Sequence, residues 1–221
     1  PRKKMKELFP SGPDSTSIIN GQVFHIDKNG VVEDNSDEIF YRILTEFSKY
    51  EKNNGKFINI SKDFKSKLFE TFMKNSDDKS DMGQFFTPLK VVNEMVNMVD
   101  VYEGMKIADP ACGVGKFILE AVAGTPGLME KYNFNNGKLN KPVDIYGFEK
   151  KMSEKDDLTT VLAKANTLIF FSDLYKRHNG NDESIKLISE QLLNETYYSS
   201  NSQLGTLQDI VQDEYDLILA N

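Results

Sequence analysis

The residues best suited to chemistry lie where short apolar runs end. Asp109 closes the run MKIAD and opens a turn that contains Gly113 and Gly115, after which a helical pattern begins. Glycines let a backbone turn sharply and approach a ligand without a Cβ clash, and a helix N-terminus offers free N–H groups. Glu149 closes a second run, VDIYGFE. The pattern predicts a nucleotide-type binding turn with a carboxylate at the end of each of two strands.

Three classes of ligand compete for this turn. A phosphate-binding loop of the GxxxxGK[ST] type fails, because Phe117 replaces the Ser or Thr and Pro110 replaces the first glycine. A dinucleotide fingerprint GxGxxG fits only in part, since Ile118 stands at its last glycine. The carboxylate of Asp109 would repel a pyrophosphate and attract a cation. S-adenosylmethionine carries a sulfonium and an amino group, and Glu149 could accept hydrogen bonds from its ribose hydroxyls.

Helical and strand-like patterns alternate around the turn. Apolar residues at helical spacing cover 89–99, 116–124 and 158–171, and strand-like runs cover 105–109, 143–149 and 215–221. This alternation predicts an α/β fold with a Rossmann-like, doubly wound parallel sheet. The last run, YDLILAN, is nearly all apolar, as expected for a strand buried on both faces. Residues 124–142 are rich in Gly, Asn and Pro and are interpreted as an insertion.

The first 80 residues differ in pattern from the rest. Two β-type runs, QVFHI and VVE, flank an Asn-Gly pair, which predicts a tail and a short β-hairpin over residues 1–35. Residues 36–80 contain the amphipathic stretches EIFYRILTEFSKYEK and SKDFKSKLFETFMKN, which predict a small helical region. Residues 81–221 are then the cofactor-binding part of a larger α/β domain.

Composition excludes several classes of protein. The 221 residues are 39% hydrophobic with a formal charge of −7, which is typical of a globular chain. One cysteine, Cys112, cannot build a disulfide framework and is expected to be a small packed residue, and two distant histidines give no metal-ligand spacing. No apolar run reaches the ~18 residues of a spanning helix, and no signal peptide is apparent. We expect no metal, no membrane contact and a cytoplasmic location.

Four motifs in order carry a family resemblance. They are GQFFTP, DPACGVGKFILEA, YGFEK and YDLILAN. Over about residues 60–221 the chain resembles the adenine-specific N6 DNA methyltransferases, in particular the modification subunits of type I restriction systems and their fused relatives. The resemblance implies a Rossmann-like methyltransferase sheet and a site-specific DNA adenine N6-methyltransferase of a restriction-modification or related defence system. It also implies S-adenosylmethionine as the cofactor.

The resemblance implies roles for individual residues. The implied contacts are Gln84, Phe85, Phe86 and Thr87 around the methionine and sulfonium end of the cofactor, Asp109, Ala111, Gly113 and Gly115 along its methionine part, Glu149 on the ribose and Asp173 toward the adenine. The segment 204–207 resembles the element just before the catalytic strand. There the family commonly has Asp or Asn, and this chain has Thr206.

Asn221 matches the first residue of the family's catalytic Asn-Pro-Pro-aromatic motif. The exocyclic amine of adenine is a poor nucleophile, because its lone pair is delocalised into the ring. An amide oxygen and a backbone carbonyl that accept its two hydrogens would localise that lone pair, while the aromatic residue stacks on a flipped-out base. Catalysis then rests on positioning and hydrogen bonding. Because the chain stops at Asn221, we expect a fragment that is truncated at the catalytic motif and inactive alone.

Charge distribution bears on the partners. Residues 1–80 hold 14 basic and 13 acidic side chains, and residues 81–221 hold 13 and 21. A grip on DNA needs several Lys or Arg contacts to phosphates. We therefore expect double-stranded DNA to be bound mostly by regions outside this chain, with specificity and restriction subunits or fused domains as further partners. Two other functions stay open, which are methylation of protein or RNA and an inactive cofactor-sensing or assembly module.

Overall fold

A computed structural model describes residues 2–12, 36–54, 87–150, 157–200 and 214–221. The helices are α1 (Arg2–Leu8), α2 (Ser36–Asn54), α3 (Leu89–Asn97), α4 (Lys116–Gly124), α5 (Asp157–Phe170), α6 (Ser172–Arg177) and α7 (Asp182–Ser189), with a 3-10 turn at Met129–Lys131 and a π-helical turn at Glu190–Asn194. The strands are β1 (Lys106–Asp109), β2 (Asn133–Asn135), β3 (Lys138–Asn140), β4 (Asp144–Lys150), β5 (Tyr197–Ser200) and β6 (Leu217–Ile218). The hairpin predicted within 1–35, the second amphipathic helix of 36–80, Gln84, Phe85, Phe86 and the segment 204–207 lie outside the described residues.

Four strands form one parallel sheet in the order β5-β4-β1-β6. Asp109 of β1 lies opposite Gly147 of β4, and Glu149 of β4 lies opposite Ser199 of β5. The chain therefore moves outward from β1 to β4 and β5, and then returns to the other side of β1 as β6. In α/β folds, ligands bind at the carboxyl ends of strands where the order reverses in this way. The predicted α/β class with a parallel sheet is confirmed.

A large part of the core lies between one face of the sheet and three helices. The apolar residues of α4 (KFILEAVAG) lie on most sides of the helix, and it packs on β1 and β4, with α3 along its other side and α5 against β5. Ile107 of β1 and Ile118 of α4 are fully buried, as is Val92 of α3. Full burial of such an aliphatic side chain contributes about 1.5–3 kcal/mol. This packing holds the carboxyl end of β1 and the start of α4 in place.

The last strand is shorter and more exposed than expected. Only Leu217–Ile218 pairs with β1, and Ile218 is 51% exposed while Leu219 is buried. Ile218 lies opposite Ala108, on the sheet face away from α4 and α5 in the described part of the chain. The prediction that the run is buried on both faces is therefore wrong for Ile218.

The segment 124–142 is more ordered than an irregular insertion. It contains the 3-10 turn and an antiparallel hairpin of β2 and β3, whose two connecting residues, Asn136 and Gly137, have φ of 52° and 77°. Positive φ at both central residues is the hairpin turn that Asn-Gly favours. Phe134 and Leu139 anchor the hairpin in the core.

None of the helices that the structure describes has both the length and the apolar character needed to cross a membrane.

Candidate functional site

The chain turns sharply after β1, and hydrogen bonds fix this turn. The Oδ1 atom of Asp109 accepts a bond from the backbone N–H of Ala111 at 3.0 Å. The N–H of Cys112 donates to the carbonyl of Phe148 in β4 at 2.9 Å, and the N–H of Gly115 donates to the carbonyl of Cys112 at 2.7 Å. The turn is therefore tied both to itself and to the neighbouring strand.

Glu149 reaches the same turn from β4. Its Oε2 atom accepts a hydrogen bond from the backbone N–H of Gly113 at 2.8 Å. Gly113 has φ of 52°, and a Cβ placed there would meet nothing within 4 Å. The structure thus brings Asp109, Glu149 and Gly113 together beside open space.

Both carboxyl groups are poorly solvated. Burial raises the pKa of Asp109 from 3.8 to about 7, the N–H of Ala111 lowers it, and the nearby Glu149 carboxylate raises it further. Burial also raises the pKa of Glu149, and the N–H of Gly113 partly offsets this. Two such carboxyl groups favour a ligand that brings positive charge and hydroxyl donors. A cationic nucleoside such as S-adenosylmethionine fits these two acceptor groups.

The same region does not have the composition of a metal site. Within the described ranges, no three His, Cys, Asp or Glu side chains cluster as a metal ion would require. Cys112 is buried, and burial together with the Asp109 and Glu149 carboxylates raises the pKa of its thiol well above the usual value. Cys112 is therefore a packed, protonated residue of the turn.

Tyr197 forms the floor of the turn, a role that the sequence did not reveal. A Cβ at Gly115 would overlap the hydroxyl oxygen of Tyr197, and one at Gly147 would lie 2.9 Å from both the Cys112 sulfur and a Tyr197 ring carbon. The Tyr197 hydroxyl shares a 2.7 Å hydrogen bond with the hydroxyl of Thr167 in α5. The only sequence signal was the β-type run TYYSS, which could have predicted β5.

Asn166 of α5 also holds the turn through a hydrogen bond, and it was not identified from the sequence. Its Nδ2 donates to the carbonyl of Val114 at 3.0 Å, and its side chain is buried. Its Oδ1 has no hydrogen-bond partner among the described residues.

Asn221 lies at the same edge of the sheet as Asp109. The N–H of Leu219 donates to the carbonyl of Ala108 at 2.9 Å, which aligns the end of β6 with the end of β1. The Nδ2 of Asn221 donates to the hydroxyl of Thr87 at 2.7 Å. The structure therefore brings Thr87 and Asn221 together across the point where the strand order reverses.

Asp173 lies toward the amino ends of the strands, on the opposite side of the sheet from the carboxyl ends that carry Asp109 and Glu149. Helix α5 returns from the carboxyl end of β4, and Phe171 at its end packs edge-on against Tyr132. The hydroxyl of Tyr132 donates to the carbonyl of Val143, just before β4 begins. Asp173 follows in the first turn of α6 and is exposed. The structure therefore does not bring Asp173 near Asp109 and Glu149.

Comparison with known proteins places the chain in a family. Residues 60–221 match the family model of the N-6 DNA methylases. The chain is 26% identical over 87 residues to the methylase subunit of the type I restriction enzyme MjaVII of Methanocaldococcus jannaschii, a match that covers 39% of this chain and 12% of that subunit. It is 33% identical over 84 residues to the methylase subunit of the type I restriction enzyme EcoEI of Escherichia coli, covering 38% and 17%.

A solved structure from Vibrio vulnificus YJ016, described as a modification subunit of a type I restriction enzyme, aligns with 99% of this chain and 43% of its own, at a TM-score of 0.46 and 22% identity. The matches span less than half the length of each of the three relatives. The family match covers far more than half of the chain and includes the turn after β1, Glu149 and Asn221. The chain therefore belongs to the N-6 DNA methylase family, as its four motifs predicted.

Proposed function

We propose that this chain provides the cofactor-binding part of a DNA adenine N6-methyltransferase that uses S-adenosylmethionine. The observation that carries the proposal is the pair of desolvated carboxyl groups, Asp109 and Glu149, on one turn at the reversal of strand order. A chain of the N-6 DNA methylase family needs a cationic methyl donor at such a place. S-adenosylmethionine, when bound, supplies an electrophilic methyl group on its sulfonium.

The residues of this chain are proposed to bind and orient the cofactor. Asp109, once ionised, offers its negative charge to the ammonium or sulfonium, and Glu149 offers acceptor oxygens to ribose hydroxyls. Ala111, Gly113 and Gly115 let the backbone approach the ligand closely. Gln84, Phe85, Phe86 and Thr87 are proposed to cover the methionine end. Asp173 is left out of this set, because it lies at the other edge of the sheet.

Asn221 is proposed to act on the adenine. Its amide oxygen accepts a hydrogen of the exocyclic amine and so localises the nitrogen lone pair toward the methyl group. Its position after β6, beside the end of β1, supports this role. Such hydrogen bonds act mainly by orienting the reactants and by stabilising charge as it develops.

The proposed partners follow from the substrate and the relatives. The proposed substrate is double-stranded DNA, and the proposed location is the cytoplasm. Two relatives are named methylase subunits of type I restriction enzymes, which supports assembly with specificity and restriction subunits or equivalent fused domains. Residues 81–221 would form the cofactor-binding part, and the region at 36–80, for which the sequence predicts helices, would contact DNA or a partner subunit.

The cofactor is tested by calorimetry. We expect S-adenosylmethionine to bind more tightly than NAD, and Glu149→Gln to weaken binding at least about tenfold, since a hydrogen bond to a charged group contributes about 1.5–3 kcal/mol. Glu195→Gln is the matched control, because Glu195 is exposed and pairs with Lys141. Tighter binding of NAD would remove the basis of the proposal.

The substrate is tested with tritiated methyl transfer by the assembled enzyme to DNA, RNA and protein in parallel. We expect label in DNA, recovered as N6-methyladenine by mass spectrometry. Label in protein or RNA alone would support the other methyltransferase readings. Cofactor binding without transfer to any of the three would support an inactive cofactor-sensing module.

A further inference from the structure

Thr87 joins two parts of the candidate site through hydrogen bonds. Its carbonyl oxygen accepts a bond from Nζ of Lys116 at 3.1 Å, and its hydroxyl oxygen accepts one from Nδ2 of Asn221 at 2.7 Å. Lys116 is the first residue of α4, directly after the turn, and Asn221 follows β6. One residue therefore connects the turn after β1 with the asparagine at the end of the neighbouring strand.

The backbone of Thr87 is restricted on both sides. The next residue, Pro88, is the N-cap of α3, and its carbonyl accepts bonds from the N–H groups of Val91 and Val92 at 2.9 and 3.2 Å. A proline restricts the preceding residue to extended conformations. With Lys116 on its carbonyl, Thr87 presents its hydroxyl from a defined position.

This position matters because an amide side chain has two unlike ends. Nδ2 only donates hydrogen bonds and Oδ1 only accepts them. With Nδ2 of Asn221 on the Thr87 hydroxyl, Oδ1 is directed away from Thr87 and can accept a hydrogen from an incoming amine. A threonine hydroxyl both donates and accepts, so it can also hold the reversed amide. In that orientation two donor groups, the amide NH2 and the adenine amine, would face each other and no bond would form.

We propose that Thr87 is a positioning residue that orients the amide of Asn221 for reaction, and that Lys116 supports it by holding the Thr87 carbonyl. The inference rests on the proposed function, and it gives Thr87 a role beyond contact with the cofactor. Because Lys116 starts α4 at the end of the turn, the conformation of the turn and the orientation of Asn221 depend on each other.

The test compares Thr87→Val with Thr87→Ser in the assembled enzyme. Valine keeps the shape and removes the hydroxyl, while serine keeps the hydroxyl. We expect Thr87→Val to lower kcat about 10- to 100-fold, as for loss of an orienting group, with the KM for S-adenosylmethionine changed less than about threefold. Thr87→Ser should recover most of the rate. Thr125→Val is the matched control, because that hydroxyl bonds the Ala121 carbonyl at the far end of α4.

Three kinetic results would overturn the inference. They are a wild-type kcat in Thr87→Val, an equal fall in Thr87→Val and Thr87→Ser, and a loss of cofactor affinity as large as the loss of kcat. The last result would make Thr87 a cofactor contact only. Lys116→Met should lower kcat in the same direction by a smaller factor, and no change would remove Lys116 from the inference.

A second readout does not depend on methylation. In NMR spectra, the side-chain amide protons of Asn221 should exchange slowly in the wild type and in Thr87→Ser, and rapidly in Thr87→Val. Equal exchange in all three would overturn the inference whatever the activity. Slow exchange in a wild type that methylates no substrate would overturn the proposed function and the catalytic part of the inference, while the Thr87 contact itself would stand.

Discussion

Asp109 is a buried carboxyl group that has few hydrogen bonds to stabilise its charged form. It is 1% exposed, and its carboxyl accepts only one backbone N–H bond among those that the structure describes. A buried carboxylate with so little compensation favours its neutral form. A cationic ligand would stabilise the ionised form of such a carboxyl group, and the ionised form would in turn bind the cation more tightly.

Cofactor affinity should therefore rise with pH. Burial raises the pKa of Asp109 from 3.8 to about 7, so the group is mostly protonated at about pH 6. A bound cation lowers this pKa again, and binding releases a proton. We expect the affinity for S-adenosylmethionine to increase roughly tenfold per pH unit below about pH 7 and to level off above it. Calorimetry in buffers of different ionisation enthalpy measures the proton release directly.

The control for this prediction is Asp109→Asn, in which the proton release should disappear. The unfolding equilibrium provides a second check. Because the folded pKa lies above the unfolded value, the stabilising contribution of protonated Asp109 is complete below pH 3.8 and is lost as the pH rises through about 7. The free energy of unfolding without ligand should fall over this range, by at most about 4 kcal/mol from this group. Affinity that is constant between about pH 5.5 and 8 would contradict the prediction.

Gly115 and Gly127 allow a matched comparison of backbone and packing effects. Their φ angles are 75° and 74°. A Cβ at Gly115 would overlap the Tyr197 hydroxyl, whereas a Cβ at Gly127 would meet nothing within 4 Å. We expect Gly127→Ala to lower the free energy of unfolding by about 1 kcal/mol, from the left-handed backbone alone. Gly115→Ala should cost about 1–3 kcal/mol more, from overpacking.

Urea denaturation measures both glycine variants. Adding Tyr197→Phe to Gly115→Ala should recover part of the loss, because it removes the overlapping oxygen, although it also removes the bond to Thr167. Equal costs of the two glycine substitutions would show that Tyr197 can move aside, and that it does not form a rigid floor.

At the scale of elements, the sequence correctly predicted the helices and strands whose apolar residues recur at a regular spacing. Helices α3, α4 and α5 and strands β1 and β4 lie within about two residues of the predicted bounds. The hairpin at 133–140 was missed although Asn136-Gly137 is the same turn signal that was used near residue 29, because its strands have only three residues each. Helix α7, which Asn181 caps through a 3.0 Å bond to the Ser184 N–H, was missed for a similar reason.

In addition to the core contacts of Phe134 and Leu139, one side chain of the π-helical turn forms hydrogen bonds with the β2–β3 hairpin. Oε1 of Gln191 accepts from the Leu139 N–H at 2.7 Å, and its Nε2 donates to the Gly137 carbonyl at 3.0 Å. We expect Gln191→Ala to raise the hydrogen-exchange rate of the Leu139 amide about fivefold, since a hydrogen bond contributes about 1 kcal/mol. In Gln191→Glu the acceptor remains, so the Leu139 amide should stay protected. Unchanged exchange in Gln191→Ala would refute this anchoring role.

At the scale of the whole molecule, some features of the site could be predicted from where the strands end, and others arise only from the packing of distant segments. The meeting of Asp109 and Glu149 at one edge could be predicted, because carboxyl ends of parallel strands lie together. The bonds that join Thr87 to Lys116 and Asn221 could not, because they depend on how the segment before α3 lies across α4. Tyr197 was hidden for the same reason, since only the pairing of β5 with β4 puts it under the turn.

Two acidic residues lie at opposite ends of the strands, and we expect their substitution to have different effects on cofactor affinity. Glu149 lies at the carboxyl edge and bonds the Gly113 N–H, while Asp173 is exposed at the amino edge, beyond the contact of Phe171 with Tyr132. We expect Asp173→Asn to leave the affinity for S-adenosylmethionine within about twofold, as surface substitutions away from a site do. Glu149→Gln should weaken it at least about tenfold. Calorimetry on both variants, with folding checked by circular dichroism, decides the matter. If Asp173→Asn weakened binding as much as Glu149→Gln, the adenine contact implied by the family resemblance would be right, and the ligand would have to reach across the sheet from one edge to the other.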